Sequence, residues 1–238
     1  MTVIERPSPN RDARPQGRAP DLLVLHYTGM RSAAEALERL CDPLAKVSAH
    51  YCIDEDGAAY TLVDERDRAW HAGIAAWEGE RDVNGRSIGI ELVNPGHEFG
   101  YRPFPEPQIA RLIALAGAIV SRHDIAPWHV LGHSDVAPLR KNDPGELFPW
   151  KRLAEAGIGL WPAACEAADS DAPSPEIGTV QKLLAGLGYG LDVFGRDLET
   201  TRRVLRAVQR HWRPSRIDGV ADRQTVAILQ EMVQAKYS

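Results

Sequence analysis

Apolar and polar positions alternate along the chain in two rhythms, short buried runs and longer amphipathic ones. Asp21 to Leu25 is a short run, Leu22-Leu23-Val24-Leu25, bounded by Pro20 and Gly29; its length predicts a buried strand that ends at His26-Tyr27-Thr28. Ser32 to Leu40 places Ala33, Ala36, Leu37 and Leu40 at helical spacing behind Ser32 and Glu35, the signature of a capping box. Ser48 to Ile53 and Ala58 to Val63 read as two strands joined by the turn Asp54-Glu55-Asp56-Gly57. Ser87 to Val93 predicts another strand, and Glu106 to His123 carries Ile109, Leu112, Ile113, Ala116, Ile119 and Val120 on one stripe of a helix. Trp128 to Gly132 is a last strand, delivering His133 at its end as the first delivers His26. This alternation predicts an α/β fold, a central mixed β-sheet flanked by helices.

The pattern changes at the ends of the chain. Residues 1–20 hold Arg6, Arg11, Arg14 and Arg18 among Pro7, Pro9, Pro15 and Pro20 and read as a Pro/Arg-rich leader. The main domain is expected over 21–162. Residues 163–176 turn to Ala, Asp, Ser and Pro, a linker composition across which few contacts are expected. Beyond it, helical patterns over Ile177–Leu187, Leu198–Trp212 and Asp222–Gln234 predict a small C-terminal three-helix domain over 177–238.

Composition narrows the class. The 238 residues carry a net charge of −5, which gives no reason to expect nucleic acid, and no segment supplies the ~20 apolar residues of a membrane span. Arg202, Arg203, Arg206, Arg210, Arg213 and Arg216 concentrate positive charge late in the chain but, with Glu199 beside them, read as a solvated helix surface. Cys41, Cys52 and Cys165 are odd in number and form no CxxC, so neither a disulfide framework nor a thiolate metal site is indicated. With no apolar core of a secretory signal near the start, a cytoplasmic location is expected, a periplasmic one being the alternative. Oligomeric state is not legible.

Candidate chemistry gathers in residues 132–150, where Pro138, Pro144, Gly145 and Pro149 break any helix and allow the chain to fold back. His133 and Asp143 could then face one point in space. The same stretch also reads as a solvated charged loop, and its composition leaves both readings open. Two histidines at the ends of two strands plus one aspartate would make three metal ligands with a fourth position open, the layout of a catalytic rather than a structural zinc site. Glu91 lies inside an apolar strand, where a carboxylate without a partner costs several kcal/mol, so it requires a cationic neighbour or a role. It is the candidate general base and acid, and Lys141 the candidate donor to a developing oxyanion.

The strings Leu25-His26-Tyr27-Thr28, Ser48-Ala49-His50-Tyr51, Trp70-His71-Ala72-Gly73, Ser87-Ile88-Gly89-Ile90-Glu91, Gly132-His133-Ser134-Asp135 and Lys141-Asn142-Asp143-Pro144-Gly145 resemble, in this order, the zinc-dependent N-acetylmuramoyl-L-alanine amidases of the amidase_2 family. Within it they look like the AmiD- and AmpD-like branch, in which aspartate completes the metal site. The resemblance spans about residues 20–162. It implies Zn2+ on His26, His133 and Asp143, Glu91 as the catalytic carboxylate, Lys141 beside the oxyanion, and muropeptides as substrates in peptidoglycan recycling, with the 1,6-anhydro form expected. Val180 to Leu184, Gly188-Tyr189 and Ile217-Asp218-Gly219 resemble a peptidoglycan-binding module, more weakly after Tyr189.

Other residues compete for the site. Trp70, His71 and Asn94 are candidate substrate contacts, Trp70 and His71 reading equally as packing residues. His50 and His129 fit core positions or the orientation of a ligand, while His97 and His123 fit the surface. A non-catalytic peptidoglycan-binding protein is the alternative of another class, disfavoured because binding alone would not require His26, Glu91, His133, Lys141 and Asp143 together. An exported wall amidase is the other alternative. A zinc peptidase lacks its His-Glu-x-x-His helix.

Overall fold

The computed structural model describes residues 3–166 and 175–238. Of the expected linker, residues 167–174 lie outside the described residues. Among the described residues eight strands are formed: β1 (Ile4–Glu5), β2 (Arg11–Ala13), β3 (Leu22–Tyr27), β4 (Tyr51–Ile53), β5 (Ala59–Thr61), β6 (Asp67–Ala69), β7 (Ser87–Leu92) and β8 (Val130–Gly132). Six make one sheet in the order β1-β5-β4-β7-β3-β8, parallel throughout except for the β4/β5 hairpin, and β2 pairs with β6 in a separate ribbon. The α/β fold with a mixed sheet is therefore as expected.

β3 reads as a continuous apolar run because it lies between β7 and β8, with both faces covered. Leu23 and Leu25 point to one side, where Ile88 and Ile90 of β7 join Ile109, Leu112, Ala116 and Ile119 of helix Glu106–His123. Leu22 and Val24 point to the other. By the two-residue period of a strand, His26 follows Leu22 and Val24, and Glu91 lies opposite Ile88, Ile90 and Leu92. His26 and Glu91 are register partners, so the two side chains stand side by side on one face of the sheet.

Helix Ala33–Cys41 covers part of that same face, packing Ala36, Leu37 and Leu40 against Cys52 and Val93. Ser32 caps it by accepting from the Glu35 amide, while the Glu35 carboxylate reaches back to Arg31 N rather than to Ser32, so only half of the expected box is made. The expected strand at Trp128 begins only at Val130, because Pro127 has no N–H for a ladder and opens a 3-10 turn over Pro127–His129.

Two expectations are corrected. Residues 3–20 are built into the fold and are not a free leader: β1 extends the large sheet, Ser8 and Asn10 are buried on backbone carbonyls of Leu40, Asp42 and Val47, and the Arg14 guanidinium is buried on carbonyls of Glu65, Gly85 and Ser87. The C-terminal helices Ile177–Leu187, Leu198–Trp212 and Arg223–Tyr237 form as expected, but they do not stand apart. Val180, Leu184, Val204, Val208 and Trp212 share one apolar core with Leu22, Val24, Trp77, Leu131 and Val136. Glu78 binds Lys236 Nζ at 2.7 Å across the same junction. Linker composition reports on the connecting chain and says nothing about the faces that it joins.

Candidate metal centre and catalytic cleft

β3, β7 and β8 end side by side, bringing His26, Glu91 and His133 to one edge of the sheet. The loop after His133 folds back, with Ser134 N donating to Asp143 O at 2.9 Å, and presents the Asp143 carboxylate to both histidines. His26 Nδ1 and His133 Nδ1 are 2.9 Å apart, and each lies 3.2 and 3.0 Å, respectively, from Asp143 Oδ2. All three residues are buried. Glu91, Lys141, His71, Tyr27 and Met30 join His133 and Asp143 around a cavity of about 200 Å³.

The protons of this cluster follow from its outer partners. Val83 O only accepts, so Ser87 Oγ donates to it at 2.6 Å and is left to accept from His71 Nε2–H at 3.2 Å. His71 Nδ1 is then a lone pair and accepts from His26 Nε2–H at 3.0 Å. That leaves the His26 Nδ1 lone pair facing inward. His133 Nε2 lies 3.1 Å from Ala72 O and 3.2 Å from Arg140 Nη2; with its Nε2–H donating to the carbonyl, its Nδ1 lone pair faces inward too. Arg140 Nη2 donates to the same carbonyl.

In these tautomers three acceptors converge with no hydrogen between them, an arrangement that a metal cation satisfies. Ligand atoms on a tetrahedral ion with bonds of about 2.0–2.1 Å stand roughly 3.3 Å apart, close to the 2.9–3.2 Å spacings here. The residues present thus fit a metal ion. The electrostatics agree. Burial, and after it the neighbouring His133, brings the His26 pKa down to about 4, keeping a neutral imidazole. Burial opposes ionisation of Asp143, but positive charge on the His133 and His26 side, carried by protons when the rings hold them and by a cation when they do not, outweighs it and holds this carboxyl well below the usual range.

Glu91 is the opposite case. Burial, reinforced by the Asp143 charge and opposed by Lys141, pushes its carboxyl well above the ordinary value. Its Oε2 is buried without a hydrogen-bond partner among the described residues.

The structure brings together His26, His71, Glu91, His133, Lys141 and Asp143. It does not bring Trp70 or Asn94 to them. Trp70 Nε1 donates to Asp12 at 2.7 Å, and the residue does not line the cavity. Asn94 is fully buried, donating to Arg102 O at 2.8 Å and accepting from Gly96 N at 3.0 Å, so its side chain pins the loop after β7. His129 and His123 pair with Glu78 and Glu65 away from the site.

Comparison with known proteins decides the family. Residues 16–146 match the model of the N-acetylmuramoyl-L-alanine amidase family, and residues 173–229 match a peptidoglycan binding domain. The chain belongs to the amidase_2 family of N-acetylmuramoyl-L-alanine amidases. It is 38% identical to the amidase AmiD of Escherichia coli K12 over 98% of this chain and 90% of that protein. The solved complex of E. coli AmiD with anhydro-N-acetylmuramic acid-L-Ala-D-gamma-Glu-L-Lys superposes with a TM-score of 0.81 at 37% identity, covering 95% of this chain and 93% of that one. AmpDh3 of Pseudomonas aeruginosa, solved with an anhydromuramic pentapeptide, does so with a TM-score of 0.82 at 36% identity, covering 95% and 96%.

Sequence reasoning missed how His71 sits in this amidase site. A side-chain Cβ at Gly89 would lie 2.5 Å from the His71 ring, so the glycine within β7 makes room for it. Gly89 in an otherwise apolar strand was the available signal, but a lone glycine does not say which ring lies over it. Asp135 was also overlooked. It is fully buried and takes hydrogen bonds from Gly132 N, Tyr189 Oη and His211 Nδ1 at 2.7–2.8 Å.

Proposed function

We infer that this amidase hydrolyses the amide between the lactyl group of N-acetylmuramic acid and L-alanine in muropeptides, with zinc held by His26, His133 and Asp143. The observation that carries the reading is the convergence of three acceptor atoms, with no proton between them, beside a buried carboxyl that has an unpartnered oxygen. Two imidazoles and one carboxylate are a donor set suited to zinc. When bound, the ion supplies Lewis acidity, polarising the amide carbonyl and making a water acidic enough to attack near neutral pH.

The remaining steps belong to side chains. Glu91 takes a proton from the attacking water and returns it to the departing alanine nitrogen, work suited to a carboxyl whose pKa burial has raised. Lys141, on the wall of the same cavity, faces the oxygen on which negative charge develops. Ala72 O and His71 hold the two imidazoles in the tautomers that leave both Nδ1 atoms free.

The substrate in the AmiD complex is an anhydro-muropeptide, which supports soluble 1,6-anhydro fragments as the substrate class and peptidoglycan recycling as the setting. Three free thiols, Cys41, Cys52 and Cys165, suit a reducing cytoplasm. A second reading, action on the polymeric wall outside that compartment, is favoured by the match of residues 173–229 to a peptidoglycan binding domain. Fractionation of the native protein, with parallel assays on anhydro-muropeptides and whole sacculi, separates the two. Recovery in the periplasm with sacculi cleaved at least as well as fragments would select the second. For the site itself, elemental analysis should find one zinc per chain, with a chelator abolishing turnover; full activity without metal would refute the reading.

A further inference from the structure

Where the loop carrying Asp143 meets helix Leu198–Trp212, a cleft of about 260 Å³ opens, walled by Pro138, Arg140, Lys141, Arg203, Arg206 and Arg210. Five of its lining side chains are cationic and none is acidic. Arg203 ties the two walls by donating to Leu139 O at 3.3 Å, while its Nε pairs with Glu199 at 3.1 Å outside the cleft lining. Arg210 reaches Glu146 only at 3.8 Å, and its Nε is buried without a hydrogen-bond partner among the described residues. Among the described residues no carboxylate pairs with Lys141 or Arg206. Like charges gathered in one concave space, only two of them with a carboxylate nearby, favour an anion there, and the expected solvated arginine surface does not account for a cleft with this lining.

The cleft adjoins the catalytic cavity, with Lys141 lining both. An anionic part of the substrate close to the scissile amide is therefore placed to reach it. In a peptide that continues through the γ-carboxyl of glutamate, the α-carboxylate of that residue is free. It is the first negative charge past alanine, about 7 Å along the chain at ~3.5 Å per residue. The C-terminal carboxylate is a second source of the same chemistry, farther along.

We propose that this cleft is a carboxylate subsite for the leaving peptide, in which Arg206 and Arg210 of the C-terminal module act with Arg140 and bind the free α-carboxylate of the γ-linked glutamate. The proposal rests on the muropeptide reading above. It makes the C-terminal helices part of the substrate-binding surface, whatever they bind elsewhere.

The test uses the full-length zinc enzyme and three forms of anhydro-N-acetylmuramyl-L-Ala-γ-D-Glu-L-Lys: the free acid, the glutamate α-carboxamide and the C-terminal carboxamide. The α-carboxamide should raise KM about tenfold, as expected for a lost hydrogen bond to a charged group, with kcat within about twofold and the C-terminal amide without effect. Arg206→Gln should raise KM for the free acid by a similar factor, add nothing on the α-carboxamide, and be largely rescued by Arg206→Lys. Equal effects of Arg206→Gln on acid and α-carboxamide, or none on either, overturn the subsite. Sensitivity only to the C-terminal amide moves the contact to the other carboxylate and overturns the glutamate assignment. Should Arg206→Gln not fold, the substrate comparison with wild-type enzyme and with Arg203→Gln decides alone. Failure to cleave any of the three would instead overturn the muropeptide reading.

Discussion

Tyr189 Oη donates a 2.7 Å hydrogen bond to Asp135 Oδ1 across the junction of the C-terminal helices and the sheet. Asp135 is two residues past His133, and its other oxygen binds Gly132 N and His211 Nδ1. His211 is itself stacked between Trp150 and Trp212, with ring centroids 3.6 and 3.8 Å away. The C-terminal module thereby grips the segment that carries a metal ligand. Tyr189→Phe leaves a buried carboxylate oxygen unpaired and should cost about 1–3 kcal/mol of stability. Denaturant unfolding followed by tryptophan fluorescence should show a lower midpoint at unchanged slope; an unchanged midpoint would mean that the bond contributes nothing.

Removing residues 164–238 should leave an unstable or aggregating fragment, because Val24, Trp77, Leu131 and Val136 lose the helices that cover them. Near-ultraviolet circular dichroism and sedimentation of the truncated chain check this. A monomeric fragment with native-like aromatic signals and full turnover would show that the shared core is dispensable.

His71→Leu removes the acceptor for His26 Nε2–H and frees that ring to turn. Zinc affinity should fall about 10–100-fold, and His71→Asn, which restores an acceptor oxygen, should recover part of it. Competition with a chromophoric chelator measures both variants. Unaltered affinity in His71→Leu would show that His26 is oriented by other contacts.

Acid sensitivity follows from His50. Burial, and then the Arg14 guanidinium 3.1 Å from Nε2, lowers its pKa to about 3. Its Nδ1 accepts from Gly89 N at 3.0 Å, a bond that protonation destroys. A histidine held neutral in the fold contributes stability that is complete above its unfolded pKa of ~6.5 and is lost as pH falls toward the folded value. His50→Asn, which keeps an acceptor for Gly89 N, should flatten unfolding free energy against pH by up to ~1.4 kcal/mol per unit between about pH 6.5 and 4. His26 and His71, also depressed by burial, leave a residual slope. An unchanged slope in the variant would contradict the assignment.

Much of this architecture was legible in the residues. β3 declared itself by four successive apolar positions, and helix Glu106–His123 by its stripe, because burial of apolar side chains has a periodic signature. His26, Glu91 and His133 were legible as chemistry because polar groups at the ends or within buried strands are costly without a role. Residues 3–20 were misread because what fixes them is polar: Ser8, Asn10 and Arg14 are buried on backbone carbonyls, and such burial leaves no periodicity. Asn94 was read as a substrate contact for the same reason, its amide being used to pin a loop. The grip on Asp135 was invisible because its partners, Tyr189 and His211, lie 54 and 76 residues away.

The bond that is cut is the most direct consequence of this site. Mass spectrometry of the products from anhydro-N-acetylmuramyl-L-Ala-γ-D-Glu-L-Lys, run on the zinc-loaded wild type and on Glu91→Gln, makes the test. The wild type should yield anhydro-N-acetylmuramic acid and the intact tripeptide, and Glu91→Gln should keep its zinc and lose about 10²–10⁴ of the rate. Products cut within the peptide or the sugar, no products at all, or undiminished cleavage by Glu91→Gln would contradict it.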